Sequence, residues 1–562
     1  AFPGFWPPHS PIATRHTGPM AQRRRTERAV EVVASGLAEL VADPDRGTAW
    51  TLRLDGSPQS YVDLADPTHL EFEYIRRMGM AIDLIAPPGE PLRVLHLLRR
   101  ASYGPGPASI AEIRSLGATA WLDSQLNPAQ ITDPVADDLV SRLPLTRLTI
   151  TGVRAKVKAG ELKMYGWDTM YQVGCAAVAR AAWSKRQLLE VMVDFWSNHL
   201  NVTCPAGDVW DSRQDYDRAV IRPNALGRYA DLLKAAAKHP AMLSYLDNRS
   251  STKAAPNENY GRELLELHTV GLSYAESDVK NAARLLTGMT VDRTTGLYKY
   301  DSAAHATGTV QILGFQHANL LAGGGEAASM ALLDYLAVHP ATAQRIATRL
   351  CLRFVSDDPP AGLVTKLAKV YLDNGTAIAP VLRALFTSAE FAAAVGAKTR
   401  APYEDLIATV RALGYGPDPS GIKSLQAIYW TAQAAGQAPM AWAPPNGYPE
   451  VATAWASPSG QLVRWNAHLN IAAGWYPNTL VRPVSPVAEF AGATLPATYG
   501  ALIDAVATRL VGRTVSAVHR TALAAFFGRT PEAKLKATDA AVTWQFPYLL
   551  AMLLNSPYFV MR

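Results

Sequence analysis

The chain has 562 residues, of which 49% are hydrophobic and 18% charged, and its formal net charge at pH 7 is +6. This composition is typical of a folded globular protein long enough for several domains, and no apolar run approaches the roughly 18 residues of a transmembrane helix. Because the positive charge is mild and no long stretch interleaves basic with aromatic residues, nucleic-acid binding is not expected.

Residues 1–19 are rich in proline and lack periodicity, which predicts a disordered lead. Twin arginines follow at Arg23 and Arg24, but Thr-Glu-Arg stands where a signal peptide needs its apolar region. We therefore expect a cytoplasmic protein from this chain, and an exported one only if the true N-terminus differs. The three cysteines are far apart and odd in number, which predicts reduced thiols in the core instead of disulfides or a CxxC metal site.

A short α+β appendage is predicted over residues 20–96. Two alternating runs flank Asp55 and Gly56, which is a strong β-hairpin signal. A helix is expected over His69 to Ile85, and the apolar run from Leu92 to Leu97 is typical of a short strand.

Three segments of this appendage resemble the N-terminal portion of spermidine-synthase-like proteins: LDGSPQSYVDL with Gln59, THLEFEYIRRMG and PLRVLHL. In that family a β-hairpin carrying a Gln precedes a helix and the first strand of a methyltransferase-type Rossmann domain. The chain departs from the family at Leu97 to Gly104, where LLRRASYG replaces the glycine-rich loop that holds the nucleoside cofactor. No segment like the family's catalytic aspartate region follows, so an aminopropyltransferase is the least favoured function.

From residue 97 onward, Ala- and Leu-rich helical patterns predict one large, mainly α domain, with a helical part over residues 97–480 and a C-terminal helical part over residues 481–562. The exception lies between Thr287 and Phe315, where three short alternating runs predict a small β-hairpin insertion or three-stranded patch with His305 in its loop. Several segments of this domain resemble the bacterial DUF1800 family: DFWSNHLNV, HPAMLSYLDN, PNENYGRELLELHTVG, HATGTVQILGF, HPATAQRIATRLCLRFVSDDPP, LFTSAEF and PPNGYP. The resemblance implies the fold of that family and no particular chemistry.

The segment from Pro256 to Gly271 carries a helix start, a helix body and a helix stop. Asn257 is a natural N-cap, and Gly271 can end the helix. At about 100° per residue, Glu263 and His268 fall on the apolar side, where a buried carboxylate needs a cation, a metal, a proton or a hydrogen-bond network. The opposite side carries three charged residues, four apart, that are expected to form a solvated ribbon of ion pairs: Glu258, Arg262 and Glu266.

A second helix ends in FWSNHLNV and places His199 on one face with three apolar side chains. If the two helices pack together, Glu263, His268 and His199 form a catalytic or metal-binding cluster. Two imidazoles and one carboxylate match the ligands of a catalytic metal site, although their spacing differs from that of HExxH. Two metal-free alternatives stay open: Glu263 is a general acid or base with a raised pKa, or it pairs with a buried arginine in a structural network.

The stiff loop PPNGYP is typical of a turn, and turn formation alone would account for its sequence. The tryptophans on either side of it could also line a pocket for a carbohydrate or an aromatic compound. The candidate substrate-binding residues are three from this loop region and three beside the inward cluster: Asn446, Tyr448, Trp442, Asn198, Asn259 and Tyr260.

Two functions therefore compete. The first is a hydrolase of the DUF1800 type, with Glu263, His268 and His199 at its catalytic centre and a small molecule or carbohydrate as its substrate. The second is a non-catalytic helical scaffold or binding protein, in which the same residues form a buried polar network that fixes helix register. The sequence leaves the substrate, the oligomeric state and the presence of a divalent metal open.

Overall fold

The computed structural model describes the backbone of four strands between residues 28 and 63 and the whole chain from residue 90 to residue 562, with side chains from residue 94 onward. The chain divides into two compact units, residues 1–86 and residues 87–562. The predicted disordered lead and the predicted helix over residues 69–85 lie outside the described residues.

The first unit contains a four-stranded antiparallel sheet in the order β1-β2-β3-β4. Its strands are β1 (Arg28–Val33), β2 (Gly36–Ala42), β3 (Ala49–Leu54) and β4 (Ser57–Asp63). Leu54 pairs with Ser57 where β3 and β4 meet, which confirms the hairpin predicted around Asp55 and Gly56. The hairpin formed by β1 and β2 was not predicted.

The segment from Leu92 to Leu97 is helical, so the strand predicted there is wrong. It belongs to α1 (Glu90–Ala101), which has Pro91 in its first turn, where the missing N–H of proline costs little. Every residue from Leu95 to Ala101 is at most 9% exposed. A helix buried on all sides has no polar face, and a short apolar run in it cannot be told from a strand by its period.

The second unit is mainly α-helical, as predicted. The remaining helices of its first half are α2 (Pro107–Leu116), α3 (Ala118–Leu126), α4 (Pro134–Ser141), α5 (Ile150–Lys158), α6 (Asp168–Trp183), α7 (Gln187–His199), α8 (Arg213–Tyr216), α9 (Arg222–Asn224), α10 (Tyr229–Lys238), α11 (Pro240–Tyr245), α12 (Glu258–Glu263) and α13 (Glu276–Leu286). Two π-helical turns interrupt this half, Asp217–Ile221 and Leu264–His268.

The second half contains the helices α14 (Gly325–Ala337), α15 (Pro340–Phe354), α16 (Ala361–Asp373), α17 (Ile378–Phe386), α18 (Ala389–Ala393), α19 (Pro402–Leu413), α20 (Lys423–Ala434), α21 (Pro458–Ala473), α22 (Pro486–Ala491), α23 (Tyr499–Val511), α24 (Ala517–Phe526), α25 (Phe546–Leu554) and α26 (Pro557–Val560). Among the described residues, no helix is long and apolar enough to cross a lipid bilayer.

Helices α6, α7 and α19 lie at the centre of the second unit. α6 packs against α4, α19 and α20, and α7 packs against α3 and α6. α19 is buried at almost every position, which places its two carboxylates, Glu404 and Asp405, in the protein interior. The cysteines predicted to be reduced are free and buried in this unit.

The predicted β insertion is present as two separate hairpins. β5 (Met289–Val291) pairs with β6 (Tyr298–Tyr300), and β7 (Val310–Ile312) pairs with β8 (Phe315–His317), both antiparallel. His305 lies between the hairpins, as expected, and is buried. Its Nδ1 is 2.8 Å from the carbonyl oxygen of Thr287 and its Nε2 is 2.9 Å from Oδ1 of Asn319, so both ring nitrogens have polar neighbours inside the fold.

Candidate functional site

The helix that carries Glu263 changes geometry halfway along its length. Asn257 caps it, because its side-chain oxygen accepts hydrogen bonds from the backbone N–H groups of Asn259 (2.9 Å) and Tyr260 (3.3 Å). α12 ends at Glu263, and the π-helical turn Leu264–His268 continues it. A π-helical turn closes its hydrogen bonds over five residues instead of four and is frequent at functional sites. The predicted angle of 100° per residue therefore does not hold beyond Glu263.

Two histidines meet at this turn: His268 is its last residue, and His199 is the last residue of α7. His268 is 1% exposed and His199 is 3% exposed, so both point inward as their helical patterns predict. Nε2 of His199 lies 3.2 Å from the hydroxyl oxygen of Tyr229 and 3.2 Å from the carbonyl oxygen of His268. The Tyr229 hydroxyl donates to that same carbonyl. The contact between the two histidines thus runs from a ring to a backbone carbonyl, and not from ring to ring.

Burial sets the charge of both imidazoles. Loss of hydration, with Arg349 and Arg345 nearby, holds the pKa of His199 well below its usual value. Loss of hydration and the charge of Arg345 lower the pKa of His268 to about 3. Both rings are therefore neutral at physiological pH. Nε2 of His268 has no hydrogen-bond partner among the described residues.

Glu263 occupies a different environment from the two histidines. Its side chain is half-buried, and none of the described residues donates a hydrogen bond to it or forms an ion pair with it. Partial burial and the nearby charge of Glu266 raise the pKa of the Glu263 carboxyl. The described residues therefore do not contain the buried arginine partner that the structural interpretation expected.

The predicted ion-pair ribbon on the outer side of the helix is wrong. Arg262 binds Glu276 at the start of α13 through two hydrogen bonds of 2.7 and 3.0 Å, and Glu266 accepts a 2.5 Å hydrogen bond from the Tyr274 hydroxyl. A bidentate arginine–carboxylate pair has better geometry than an exposed pair along one helix, which contributes little. The outer charges therefore tie the helix to the next segment of the chain.

The end of α7 anchors the PPNGYP loop through two asparagines. Asn198 donates from Nδ2 to the carbonyl oxygen of Tyr448 (2.8 Å) and accepts at Oδ1 from its backbone N–H (2.5 Å). Asn201 donates to the carbonyl oxygens of Trp442 (2.9 Å) and Pro444 (2.8 Å). The loop approaches α7 so closely that a Cβ on Gly447, which has φ +71°, would overlap the carbonyl oxygen of Asn198. Two segments far apart in the sequence thus form one rigid unit.

The aromatic side chains of the loop form a short stack. Tyr448 is 9% exposed and its ring centroid lies 5.0 Å from that of Trp442 and 5.8 Å from that of Trp455. Trp442 is partly exposed, and its indole N–H donates to Oδ1 of the exposed Asn446 at 2.8 Å. One amide and one indole are therefore presented together at the surface.

Tyr245, at the end of α11, binds this loop. Its hydroxyl donates to the carbonyl oxygen of Ala443 at 2.5 Å. Burial and the nearby charge of Glu263 raise the pKa of Tyr245 to about 12, so its hydroxyl keeps its proton at neutral pH. We call Tyr245, Glu263, Trp442 and Asn446 the loop site.

Three of the four loop-site residues were predicted from the sequence, and Tyr245 was not. Tyr245 lies in HPAMLSYLDN and Asn201 lies in DFWSNHLNV, two of the segments that carry the family resemblance. The position of Tyr245 in one of these segments was the only sequence signal that could have marked it as a candidate. Its contact with Ala443, almost 200 residues later, leaves no local pattern.

The remaining candidate residues, Tyr260 and Asn259, are not part of the loop site. Tyr260 is 1% exposed, and burial raises the pKa of its hydroxyl. Asn259 is exposed in the first turn of α12. Among the described residues, no three His, Cys, Asp or Glu side chains are grouped closely enough to hold a metal ion. His199, Glu263 and His268 accordingly do not form a set of metal ligands in this structure.

The chemistry available at the loop site follows from these side chains. The indole of Trp442 offers an apolar face, the amide of Asn446 and the hydroxyl of Tyr245 offer hydrogen bonds, and Glu263 offers a carboxyl with a raised pKa. The side chains of His199 and His268 are buried in the core, so they are not accessible to a ligand at the loop site.

Comparison with known proteins identifies one family. A family model described as a protein of unknown function (DUF1800) matches residues 96–561, which is most of the chain. No curated protein and no solved structure matches the chain.

Proposed function

The chain belongs to the DUF1800 family, a family of unknown function. Because the family does not specify a ligand, we propose from the side chains of the loop site that the protein binds a carbohydrate there. The observation that carries the proposal is the partly exposed Trp442, held by Asn446 where three segments of the family region converge. A sugar ring has an apolar face that stacks on an indole and hydroxyl groups that bind amides and carboxylates. The loop site offers both kinds of contact.

In this proposal His199 and His268 are structural. Each is almost completely buried and neutral, and the His199 ring binds the backbone of the π-helical turn. Such contacts fix the register of α7 against the turn. They hold Asn198 and Asn201 at the position from which these residues anchor the loop.

Binding is tested by titrating neutral oligosaccharides into the full chain by calorimetry, after a screen of a glycan array. We expect Trp442→Ala to lower affinity by about tenfold or more, because it removes the stacking surface. Trp475→Ala is the matched control, since Trp475 is 58% exposed and lies outside the loop site, and it should leave affinity unchanged. Absence of binding to any glycan, or equal affinity in both variants, would overturn the proposal.

A second candidate function, hydrolysis of a glycosidic bond at the same site, is favoured by the raised pKa of the Glu263 carboxyl. Glycosidases generally use two carboxyl groups, one of which donates a proton to the leaving oxygen while the other assists water or attacks the sugar. In this protein the second carboxyl group near Glu263 is that of Glu266, and burial together with the charge of Glu266 raises the pKa of Glu263. Glu263 would give its proton to the leaving oxygen as the glycosidic bond breaks, water would add its hydroxyl to the anomeric carbon, and the remaining proton of that water would restore the Glu263 carboxyl.

Glu263→Gln separates the two functions. If the chain is a hydrolase, this variant should lose turnover by roughly a hundredfold or more while it keeps the affinity and the unfolding free energy of the wild type. If the wild type binds sugar and releases no reducing ends, binding alone is the function. Equal loss of stability and affinity in the variant would instead identify Glu263 as a structural carboxylate.

A further inference from the structure

A cavity in the described part of the chain lies away from the loop site. It has a volume of about 960 Å³ and is bordered by α1 and α2 on one side and by α22 and α23 on the other. Its walls are mostly apolar and include Leu95, Pro107, Ile110, Phe490, Leu510 and Val511. A cavity of this size can hold a ligand of drug-like dimensions.

One buried cation, Arg99, faces this cavity. Arg99 is 9% exposed and lines the wall. Its guanidinium donates to the carbonyl oxygen of Val511 at 2.6 Å, and it forms no ion pair with a carboxylate of the described residues. Burial and the charges of Arg400 and Arg513 lower the pKa of Arg99 to about 9, so it remains a cation at neutral pH. A buried charge without a counter-ion is costly.

The other charges of the cavity do not neutralise Arg99. Glu489 binds Arg509 at 2.6 Å, and Asp504 binds Arg520 at 2.9 Å. Each carboxylate is therefore already matched by its own arginine. The pairing leaves the positive charge of Arg99 for a ligand to neutralise.

We propose that this cavity binds an amphipathic carboxylate, with the carboxylate on Arg99 and an aliphatic chain along the apolar walls. A guanidinium presents parallel N–H donors that fit a carboxylate. The apolar walls add affinity for each methylene group that they remove from water. A free phosphate or a nucleotide would leave these walls in contact with water and fits the cavity less well.

Ligand chemistry provides the first test. Decanoate, decanol and decylamine are titrated separately into the full chain, each below its micellar concentration, and heat is recorded. We expect decanoate to bind at least tenfold more tightly than decanol, because a charge-assisted hydrogen bond is roughly twice as strong as a neutral one. Decylamine should bind most weakly. Equal affinity for decanoate and decanol, or no binding of decanoate, would overturn the proposal.

Variants provide the second test. Arg99→Met should lower decanoate affinity by about tenfold or more, since it removes the cation and keeps an unbranched apolar side chain. Arg213→Met is the control for loss of a buried arginine, because Arg213 is also buried and its guanidinium also donates to a backbone carbonyl, that of Val202 at 2.9 Å. The control should retain decanoate binding.

A steric variant keeps the proposal testable if Arg99→Met does not fold. Ala505 lines the cavity on α23 and is only partly buried, so Ala505→Phe should fill the space and weaken decanoate binding without an unpaired charge. Trp442→Ala should leave decanoate binding unchanged, which separates this cavity from the loop site. Wild-type affinity in Ala505→Phe would place the ligand elsewhere and overturn the proposal.

Discussion

At the scale of single residues, burial determines what the core histidines can do. His199 and His268 are both sealed in the interior, and both have a pKa below that of a free imidazole. A group that must stay neutral in the folded state and can be protonated in the unfolded state lowers stability in acid. The two histidines are therefore a source of acid sensitivity more than a source of reactivity.

His268→Gln should make the protein less sensitive to mild acid. The folded pKa of His268 is about 3 and the unfolded value is about 6.5, so the unfolded state takes up the proton first. As pH falls from 7.5 to 5, His268 alone should remove roughly 2 kcal/mol from the unfolding free energy of the wild type. The variant lacks this loss. Urea unfolding of both proteins at the two pH values measures it.

Comparison of the two proteins is needed because other groups act in the opposite direction. Burial raises the pKa of Asp194 to about 6, and such a carboxyl adds stability as pH falls through that value. The difference between wild type and His268→Gln cancels this contribution. A difference that stays constant from pH 7.5 to 5 would mean that His268 is protonated in the folded state.

At the scale of secondary-structure elements, the π-helical turn depends on close packing of two helices. Gly261 on α12 faces the backbone of α13, and a Cβ there would lie 2.9 Å from the carbonyl oxygen of Val279 and 3.0 Å from the N atom of Ala283. The bidentate pair of Arg262 with Glu276 closes the same contact. Glycine at this position therefore allows the approach that holds the turn in place.

Gly261→Ala should destabilise the protein by about 1–3 kcal/mol, because the added methyl group must push two backbones apart. Gly362 provides the matched control: it also lies in a helix, α16, but is exposed, and a Cβ there meets no atom within 4 Å. Gly362→Ala should stabilise by roughly 0.5–1 kcal/mol. Denaturant midpoints of the two variants measure both effects, and equal midpoints would show that α12 does not need the close approach.

The elements also show which features the sequence could predict. Asn257 and the Asp55–Gly56 hairpin were predictable because caps and tight turns are set by neighbouring residues. The π-helical turn was not, since Gly261 permits it through contacts with another helix. The strand predicted at α1 was also wrong because of tertiary structure: burial on all sides removed the hydrophobic period that distinguishes a helix from a strand.

In the candidate site, too, local features could be predicted from the sequence and tertiary contacts could not. The inward direction of His199 was readable from helical spacing, that of His268 was predicted correctly although the π-helical turn changes the spacing there, and the loop PPNGYP stood out by composition. The contacts that define the site join residues about 200 to 250 positions apart, as Tyr245 to Ala443 and Asn198 to Tyr448. Such pairings depend on tertiary packing and cannot be recovered from local pattern.

At the scale of the whole molecule, paired charges in the interior connect segments that are distant in sequence. Arg464 on α21 lies 2.8 Å from Asp405 on α19, and Arg562 lies 2.7 Å from Glu404. All four side chains are at most 4% exposed. Breaking a pair of this kind leaves an uncompensated buried charge, so these contacts specify how the helices assemble.

Arg353 joins this interior to the loop site. Its guanidinium lies 3.0 Å from Asp194 on α7 and 3.3 Å from Glu450, which directly follows the PPNGYP loop. The side chain of Arg353 is 5% exposed and that of Glu450 is 9% exposed. One arginine thus holds both the helix that anchors the loop and the chain that leaves it.

Arg353→Met should lower the unfolding free energy by about 3–5 kcal/mol, because the buried carboxylate of Glu450 and the partly exposed carboxylate of Asp194 lose their shared cation. Arg383→Met is the control, since Arg383 forms an exposed ion pair with Asp123 and should cost at most about 1 kcal/mol. Adding Glu450→Gln to Arg353→Met should recover part of the loss, because it removes one of the two orphaned charges. Urea unfolding of the single and double variants measures this coupling. If the double variant is as unstable as the sum of the single variants, Arg353 and Glu450 act independently, and the core does not hold the loop site through this pair.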